Sequence, residues 1–159
     1  MRTDDARAIF DGYAQDEKVA QYLRWYPHAS IDQTESYIRM CLAAVGSRAY
    51  VIVLKATGKV IGVFHLRKTG PAELGFGFAL AHPFWGRGLM PEALTEVINW
   101  ALRQTSIWQI CGAADIDNSG SIRVMEKAGL QREEAFRKPF AHSRVGLASR
   151  NYVVFSKTR

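Results

Sequence analysis

The sequence is poor in cysteine and has no long apolar run, and these absences exclude several classes of protein. Its 159 residues include two cysteines, Cys41 and Cys111, and neither has a CxxC partner, so we expect reduced thiols in the core rather than a disulfide framework. No apolar stretch approaches the roughly 20 residues of a membrane-spanning helix, and the first residues do not resemble a signal peptide. We therefore expect a cytoplasmic protein that does not bind a membrane.

Histidine is scarce as well, and the basic residues form no stripe. The four histidines are His28, His65, His82 and His142. Their spacing is not that of metal ligands, so no metal site is expected. The net charge of +6 arises from lysines and arginines scattered along the chain. Such a scatter is typical of a solvated surface, or of a field that attracts an anionic ligand, rather than of a nucleic-acid-binding face. No nucleic-acid partner is expected.

Length and pattern predict one domain of the α/β class. There is no internal repeat, low-complexity tract or linker, so we expect a single domain over residues 1–159. Period-2 patterns predict strands at Ala49–Leu54, Val60–Arg67, Glu73–Leu80, Ile107–Ala114, Leu130–Phe136 and Tyr152–Phe155. A meander followed by alternating strands and helices predicts a mixed sheet with helices on both faces.

Helical periodicity predicts five helices. They are expected from about Asp4, over Lys18–Leu23, after Ser30, over Met90–Thr105 and over Ser119–Ala128. Ser30 with Gln33 has the pattern of a capping box for the third helix, and Gly46 is expected to end it. The apolar face of that helix is expected to comprise Tyr37, Ile38, Cys41, Leu42 and Val45.

Two glycines precede the helix with the strongest periodicity. In the segment Trp85-Gly86-Arg87-Gly88, the glycines allow the backbone to approach a ligand, and the N–H groups of the first helical turn favour an anion such as pyrophosphate. Arg87 can add a positive charge. The pattern is not GxGxxG, because position 91 is proline. A plain glycine turn remains the alternative interpretation of this segment alone.

A second polar segment follows the predicted strand Ile107–Ala114. Asn118 or Ser119 is suited to cap a helix, and Ser121 lies in its first turn. Taken alone, this segment is equally well explained by capping.

Together the two segments make the chain resemble the GNAT N-acetyltransferases, in particular the branch of ribosomal-protein alanine acetyltransferases (RimJ/RimL). The family's phosphate loop and the Glu-Ala that follows it are matched by Trp85-Gly86-Arg87-Gly88 and Glu92-Ala93. The later motif of the branch is matched by Asn118, Ser121, Glu126, Lys127 and Gly129, and Glu73-Leu74-Gly75-Phe76 looks like the family's fourth strand. The resemblance implies a GNAT-like sheet with a central parallel splay, and direct transfer of acetyl from acetyl-CoA to a primary amine.

The resemblance also implies roles for individual residues. Acetyl-CoA is expected to contact Phe78, Ala79, Leu80, Trp85, Gly86, Arg87, Gly88, Leu89, Met90, Asn118 and Ser121. Ser121 is the candidate proton donor to the departing thiolate, with capping as its alternative. Glu73 is the candidate base, with phenylalanines nearby to desolvate it. The alternatives to Glu73 are Glu133, Glu134, His65 and His82. Trp25, Tyr26 and His28 are expected on the amine side, although Trp25 suits the core equally well.

The sequence also departs from the family pattern. Pro83 replaces the Gln or Arg that opens the family loop, and the family's first edge strand is almost absent before the helix near Asp4. An uncovered sheet edge tends to find a partner, which makes a homodimer one expectation. A coenzyme A-binding module without turnover is the alternative function, and the amine acceptor is left open between a protein N-terminus, a lysine and a small molecule.

Overall fold

A six-stranded mixed sheet is the frame of the fold in the computed structural model, which describes residues 1–133 and 151–159. Its strands are β1 (Ser47–Leu54), β2 (Lys59–Gly70), β3 (Glu73–Leu80), β4 (Gln109–Asp115), β5 (Gln131–Arg132) and β6 (Tyr152–Thr158). They lie in the order β1-β2-β3-β4-β6-β5. The predicted strand bounds agree with the structure to within about three residues, and those of β3 agree at both ends. The predicted end of the fifth strand, at Phe136, lies outside the described residues.

The pairing pattern confirms the predicted fold class. Strands β1 and β2 are antiparallel, as are β4 and β6, and β5 and β6, whereas β3 and β4 are parallel. The parallel register extends only from Glu73 opposite Gln109 to Gly75 opposite Cys111, although β3 continues to Leu80. A short parallel register within longer strands is the expected central splay.

Five α-helices surround the sheet, with short turns of other helical types. They are α1 (Ala6–Ile9), α2 (Glu17–Ala20), α3 (Ile31–Ala43), α4 (Leu89–Arg103) and α5 (Ser119–Lys127). A 3-10 turn covers Thr3–Asp5, a π turn covers Phe10–Ala14, and a second 3-10 turn covers His82–Phe84. Among the described residues, no strand precedes α1.

Helix α3 ends earlier and is capped differently than predicted. Ser30 makes no side-chain cap bond, and the Gln33 carboxamide instead accepts from the Ala29 N–H at 2.8 Å. The backbone leaves the helix at Ala44, which is extended, so Gly46 does not end it. The predicted apolar face was wrong at its C-terminal end, because Leu42 is 52% exposed and Val45 is fully exposed.

The described residues pack as two compact units, and β3 contributes to both. Residues 1–67 and 77–87 form the first unit, and residues 68–76 and 88–159 form the second. The core of the first unit combines the N-terminal helices with β2 and β3: Ala6, Ile9, Tyr13, Ala14, Val19, Ile38, Val63, Ala79 and Ala81. In the second unit, buried side chains come from α4, α5, β4 and β6: Leu94, Ile98, Ala101, Ile110, Ala114, Met125, Val153 and Phe155.

Candidate active site

The glycine loop has the backbone geometry that an anion site requires. Gly86 has φ of 72° and Gly88 has φ of 77°, in the left-handed region that favours glycine. Gly88 is also the N-cap of α4, whose first-turn N–H groups have no intrahelical partner. Among the described residues, no acceptor is bonded to the N–H groups of residues 86–90. The loop therefore offers several backbone donors to a ligand, and the helix dipole favours a negative one.

Open space beside the loop supports the same conclusion. A Cβ atom added at Gly86 or at Gly88 would meet no described atom within 4 Å. Each glycine is thus required by its φ rather than by crowding, and the backbone is accessible from that side. These residues fit the pyrophosphate group of a coenzyme A thioester, because a phosphate needs open main-chain donors and close backbone approach.

Trp85 anchors the first half of the loop to the end of β3. Its indole N–H donates to the Leu80 carbonyl at 2.6 Å, while 45% of the residue stays exposed. The His82 ring stands edge-on to the indole, with centroids 4.7 Å apart. His82 in turn lies 4.0 Å from the Asp16 carboxylate, so this candidate base belongs to a contact between the loop and α2.

The end of β3 is held closely by β2. A Cβ atom added at Gly62 would lie within 3.0 Å of the Ala79 carbonyl oxygen and 3.2 Å from Leu80 Cα. Ala79 and Leu80 are buried, and the Phe78 ring stacks with Phe64 at 6.3 Å. Because Gly62 has no side chain, β2 lies close to Ala79 and Leu80. This close contact fixes the position of the strand segment that is expected to face the thioester.

The polar segment after β4 forms the predicted cap. The Asn118 side chain accepts from the Ser121 backbone N–H at 3.0 Å and caps α5. The Ser121 hydroxyl is half-buried and makes no hydrogen bond with another described residue. The Asn118 side chain therefore caps α5, and the Ser121 hydroxyl takes no part in the cap.

Glu73 sits in polar surroundings rather than apolar ones. Its Oε1 accepts from Thr69 Oγ1 at 2.6 Å and from Cys111 Sγ at 3.5 Å. Burial, and then the Glu73 carboxylate, raises the pKa of the Cys111 thiol to about 11. The expectation that phenylalanines desolvate Glu73 was wrong for Phe76. Alternating strand side chains point to opposite faces, and the Phe76 ring packs over Gly112 while Glu73 reaches Cys111.

The other candidate carboxylates are Glu133 and Glu134. Glu133 Oε1 accepts from Gln109 Nε2 at 3.3 Å, in the second unit. Glu134 lies outside the described residues.

An aromatic cluster brings the partly buried Trp25 and the buried His28 together in the first unit. Their ring centroids are 5.0 Å apart, and both lie near the Tyr37 ring, at 6.4 Å and 5.8 Å. His28 Nδ1 is 2.7 Å from the Thr34 hydroxyl, and burial lowers its pKa. Tyr26 is 57% exposed.

The same cluster holds a tyrosine–histidine pair that the sequence did not predict. Tyr37 Oη lies 2.8 Å from His65 Nε2, with edge-to-face rings. Burial raises the pKa of Tyr37 and lowers that of His65, so the tyrosine stays protonated and the imidazole stays neutral near pH 7. The two residues are 28 positions apart, and only the packing of α3 on β2 reveals their contact.

Neither a metal site nor a membrane span is evident in the described part of the chain. No group of three or more His, Cys, Asp or Glu residues there could hold a metal ion. Among the described helices, none is long and apolar enough to cross a membrane.

Comparison with known proteins agrees with this geometry. Residues 1–131 match the acetyltransferase (GNAT) domain family. The chain is 26% identical over 144 residues to the uncharacterized N-acetyltransferase p20 of Bacillus licheniformis, covering 86% of this chain and 79% of that protein.

Two solved structures have the same fold. A GNAT-family acetyltransferase from Bacillus anthracis superposes with a TM-score of 0.87 at 19% identity, over 99% of this chain and 91% of that one. Spermidine N-acetyltransferase from Vibrio cholerae, solved with CoA and spermine, superposes with a TM-score of 0.79 at 15% identity, over 99% of this chain and 92% of that one. Identities this low establish the fold alone, whereas the family match covers most of the chain. The open glycine loop, the splayed strands and the family match lead to one conclusion: this chain belongs to the GNAT acetyltransferase family and is an acetyltransferase with acetyl-CoA as its co-substrate.

Proposed function

We propose that residues 1–159 form one N-acetyltransferase domain that moves acetyl from acetyl-CoA directly onto a primary amine, in the manner of the ribosomal-protein alanine acetyltransferase branch. The observation that carries this proposal is the loop at Gly86 and Gly88, with left-handed glycines and, at the start of α4, N–H groups that have no acceptor in the described part of the chain. Pyrophosphate bound there would leave the pantetheine and its thioester to extend along the sheet. Leu89, Met90 and Arg87 complete the phosphate-binding segment.

The reaction needs three things from the protein. The amine nitrogen attacks the thioester carbon, the C–S bond breaks, and the electron pair leaves with sulfur as a thiolate. The nitrogen loses one proton to a base, and the thiolate gains one from an acid. The carbonyl oxygen becomes negative on the way and needs a hydrogen-bond donor.

The oxyanion donor is a backbone N–H in the segment Phe78, Ala79 and Leu80. Support for this comes from the way the segment is held, by Gly62 on one side and by the Trp85 indole on the Leu80 carbonyl. A donor contributes to catalysis in proportion to how well it is fixed before the charge develops.

Ser121 is the proton donor to the thiolate, and Asn118 contacts the pantetheine. Two observations favour Ser121: its hydroxyl is not needed for capping, and it lies in the first turn of α5, where a half-buried hydroxyl can reach a ligand. Asn118 has one further donor group, the carboxamide NH₂, beyond the oxygen that caps the helix.

Glu73 is the base that accepts the ammonium proton, although His65 is a strong rival. Glu73 accepts bonds from Thr69 and Cys111, yet a carboxylate has further acceptor positions for a substrate. His65 is kept neutral by burial and lies in the same cluster as Trp25 and His28, which we assign to the amine side together with Tyr26. If Glu73 is the base, Glu73→Gln should lose the rise of kcat/KM with pH. If His65 is the base, His65→Gln should lose it instead.

The acceptor is either a protein N-terminus or a small amine. The Vibrio cholerae relative in fold is named for spermidine, which favours testing polyamines beside peptides. A screen of both classes with acetyl-CoA, measuring free thiol release, identifies the acceptor. If the chain were a coenzyme A-binding module without turnover, or a homodimer needing a partner for the site, thiol release would be absent or would depend on protein concentration.

A pair of variants at one position tests the donor site. Gly88→Asp puts a carboxylate where phosphate is expected to bind, while Gly88→Asn has the same size and similar backbone strain without the charge. Charge-assisted bonds contribute about 1.5–3 kcal/mol each, so we expect the Asp variant to bind acetyl-CoA at least about tenfold more weakly than the Asn variant. Calorimetry measures both affinities. Equal binding by the two variants would mean that no phosphate lies at Gly88.

A further inference from the structure

His65 bonds one ring nitrogen inside the protein and leaves the other open, and the roles assigned above do not explain this arrangement. Its Nε2 atom lies 2.8 Å from the Tyr37 hydroxyl. Its Nδ1 atom has no hydrogen-bond partner among the described residues. Nδ1 is not buried either, because Tyr13 Oη is the one buried side-chain nitrogen or oxygen without a partner in the described part of the chain. This half-buried imidazole therefore presents one polar atom to solvent or to a ligand.

The position of His65 along β2 relates the open nitrogen to the proposed reaction. Phe64, the preceding residue, stacks with Phe78 at 6.3 Å between ring centroids. His65 is therefore level with the start of the β3 segment to which we assign the oxyanion donor. Because side chains alternate along a strand, His65 points to the opposite face from Phe64, where it meets Tyr37 of α3. That face holds the aromatic cluster that we assign to the amine side.

The Tyr37 hydroxyl decides which ring nitrogen of His65 carries the hydrogen. A neutral imidazole has one N–H donor and one nitrogen lone pair. Burial raises the pKa of Tyr37, so its hydroxyl keeps the hydrogen and needs an acceptor. The Cys41 thiol also interacts with this hydroxyl, but burial raises the pKa of Cys41, so its sulfur stays a neutral and weak acceptor. The hydroxyl therefore donates to Nε2, and the imidazole hydrogen lies on Nδ1.

We propose that Tyr37 is a positioning residue that holds His65 as the Nδ1–H tautomer, so that His65 donates a hydrogen bond to an oxygen atom of the amine acceptor. The proposal rests on the proposed function, because it needs the amine to lie beside the aromatic cluster. An Nδ1 that carries a hydrogen has no lone pair to accept a proton, so this tautomer leaves Glu73 as the base. It also requires an acceptor that bears a carbonyl, carboxylate or hydroxyl oxygen, which a hydrocarbon polyamine lacks.

The tautomer is measured without any assay of activity. NMR correlation of imidazole nitrogens with ring hydrogens at pH 7.5 distinguishes a nitrogen that carries a hydrogen from one that does not. His65→Gln identifies the His65 signals among those of the four histidines. We expect the hydrogen on Nδ1 in the wild type and a mixture of both tautomers in Tyr37→Phe. The matched control, Tyr50→Phe, removes the same hydroxyl from an exposed tyrosine on β1 and should leave the tautomer unchanged.

Two substitutions of His65 test the donor role by kinetics. His65→Asn places its carboxamide NH₂ about where Nδ1 lies, whereas His65→Gln places its carboxamide about where Nε2 lies. We expect His65→Gln to lower kcat/KM for the amine found by the screen by about twofold to tenfold, as the loss of one hydrogen bond implies. His65→Asn should restore most of that loss. Both variants should keep the rise of kcat/KM with pH, and thermal unfolding confirms that each variant is folded.

The outcomes separate this inference from the proposed function. A hydrogen on Nε2 in the wild type, or the same tautomer in the wild type and in Tyr37→Phe, overturns the inference alone. The same holds if both His65 variants lose the rise with pH, if His65→Gln has the kcat/KM of the wild type, or if the preferred acceptor is a polyamine without oxygen. Absence of thiol release with every amine in the wild type would overturn the proposed function and, with it, the donor role of His65.

Discussion

Gly62→Ala should damage both stability and catalysis through one contact. The added methyl group would lie within 3.0 Å of the Ala79 carbonyl oxygen and 3.2 Å from Leu80 Cα, both of them main-chain atoms that cannot rotate away. Ordinary carbon–oxygen contacts in sheets are about 3.3–3.6 Å, so β3 would have to retreat from β2 by about 1 Å at this point. The segment that moves is the proposed oxyanion donor.

The magnitude follows from overpacking in a close-packed core. Inserting a methyl group where the backbone must shift costs about 1–3 kcal/mol. For a chain of this length, each kcal/mol lowers the melting temperature by about 2–4 °C, so we expect a fall of about 2–12 °C. Misplacement of reacting groups by about 1 Å can cost about 10²-fold in rate, so we expect kcat to fall by about tenfold to a hundredfold.

The matched control is Gly77→Ala on β3 itself. A Cβ atom at Gly77 would meet no described atom within 4 Å, and Gly77 is not among the glycines with positive φ. Its melting temperature and kcat should stay close to wild type. The assays are thermal unfolding and steady-state thiol release with acetyl-CoA and the amine found by the screen.

Two results would refute the reasoning at different steps. Wild-type stability of Gly62→Ala would show that β2 and β3 are not as close as the structure has them. Lost stability with an unchanged kcat would show that the Ala79–Leu80 segment does not carry the oxyanion donor.

Three further predictions address proton transfer and its cost. Ser121→Ala should lower kcat by about tenfold to a thousandfold with little change in acetyl-CoA affinity, because the proton matters mainly in the transition state; an unchanged kcat would exclude the acid role. We expect kcat/KM for the amine to rise with pH, and Glu73→Gln should remove that rising limb; if it persists there and disappears in His65→Gln, the base is His65. His28 has a lowered pKa in the folded protein, so the unfolded chain binds its proton first, and stability should fall as pH drops below about 6.5. Urea unfolding at pH 7.5 and 5.5 measures that loss of stability, which should be smaller in His28→Gln. An equal loss in the wild type and in His28→Gln would contradict the lowered pKa of His28.

The fold was predictable where the determining signals are local. Strand β3 was predicted with both ends correct, because turn residues bound an apolar run on each side. The left-handed geometry at Gly86 and Gly88 and the Asn118 cap were predictable for the same reason, since a backbone dihedral or an i to i+3 bond needs only a few residues. Helix α3 shows the limit. Periodicity counted Val45 as part of the apolar face, but the chain leaves the helix at Ala44, and Val45 is exposed.

Contacts between distant segments were not predictable in the same way. Tyr37 and His65 meet only because α3 packs on β2, and Lys59 and Arg87 each lie near the Phe84 ring through the fold rather than through local sequence. Strand alternation alone could have corrected one error. Residues three apart on a strand point to opposite faces, so Phe76 could not desolvate Glu73 whatever the tertiary structure.

The proposed sites for the two substrates differ in the kind of contact on which they depend. The donor loop relies on main-chain N–H groups and glycine dihedrals, which constrain Gly86 and Gly88 but leave the neighbouring side chains free to vary. A relative with 26% identity can therefore share a donor site of this kind without sharing its side chains. The proposed amine side relies on side chains, among them Trp25, His28 and His65, whose contacts depend on ring positions. Identity of the acceptor should consequently follow from this cluster, and resemblance through the loop alone carries no information about which amine is acetylated.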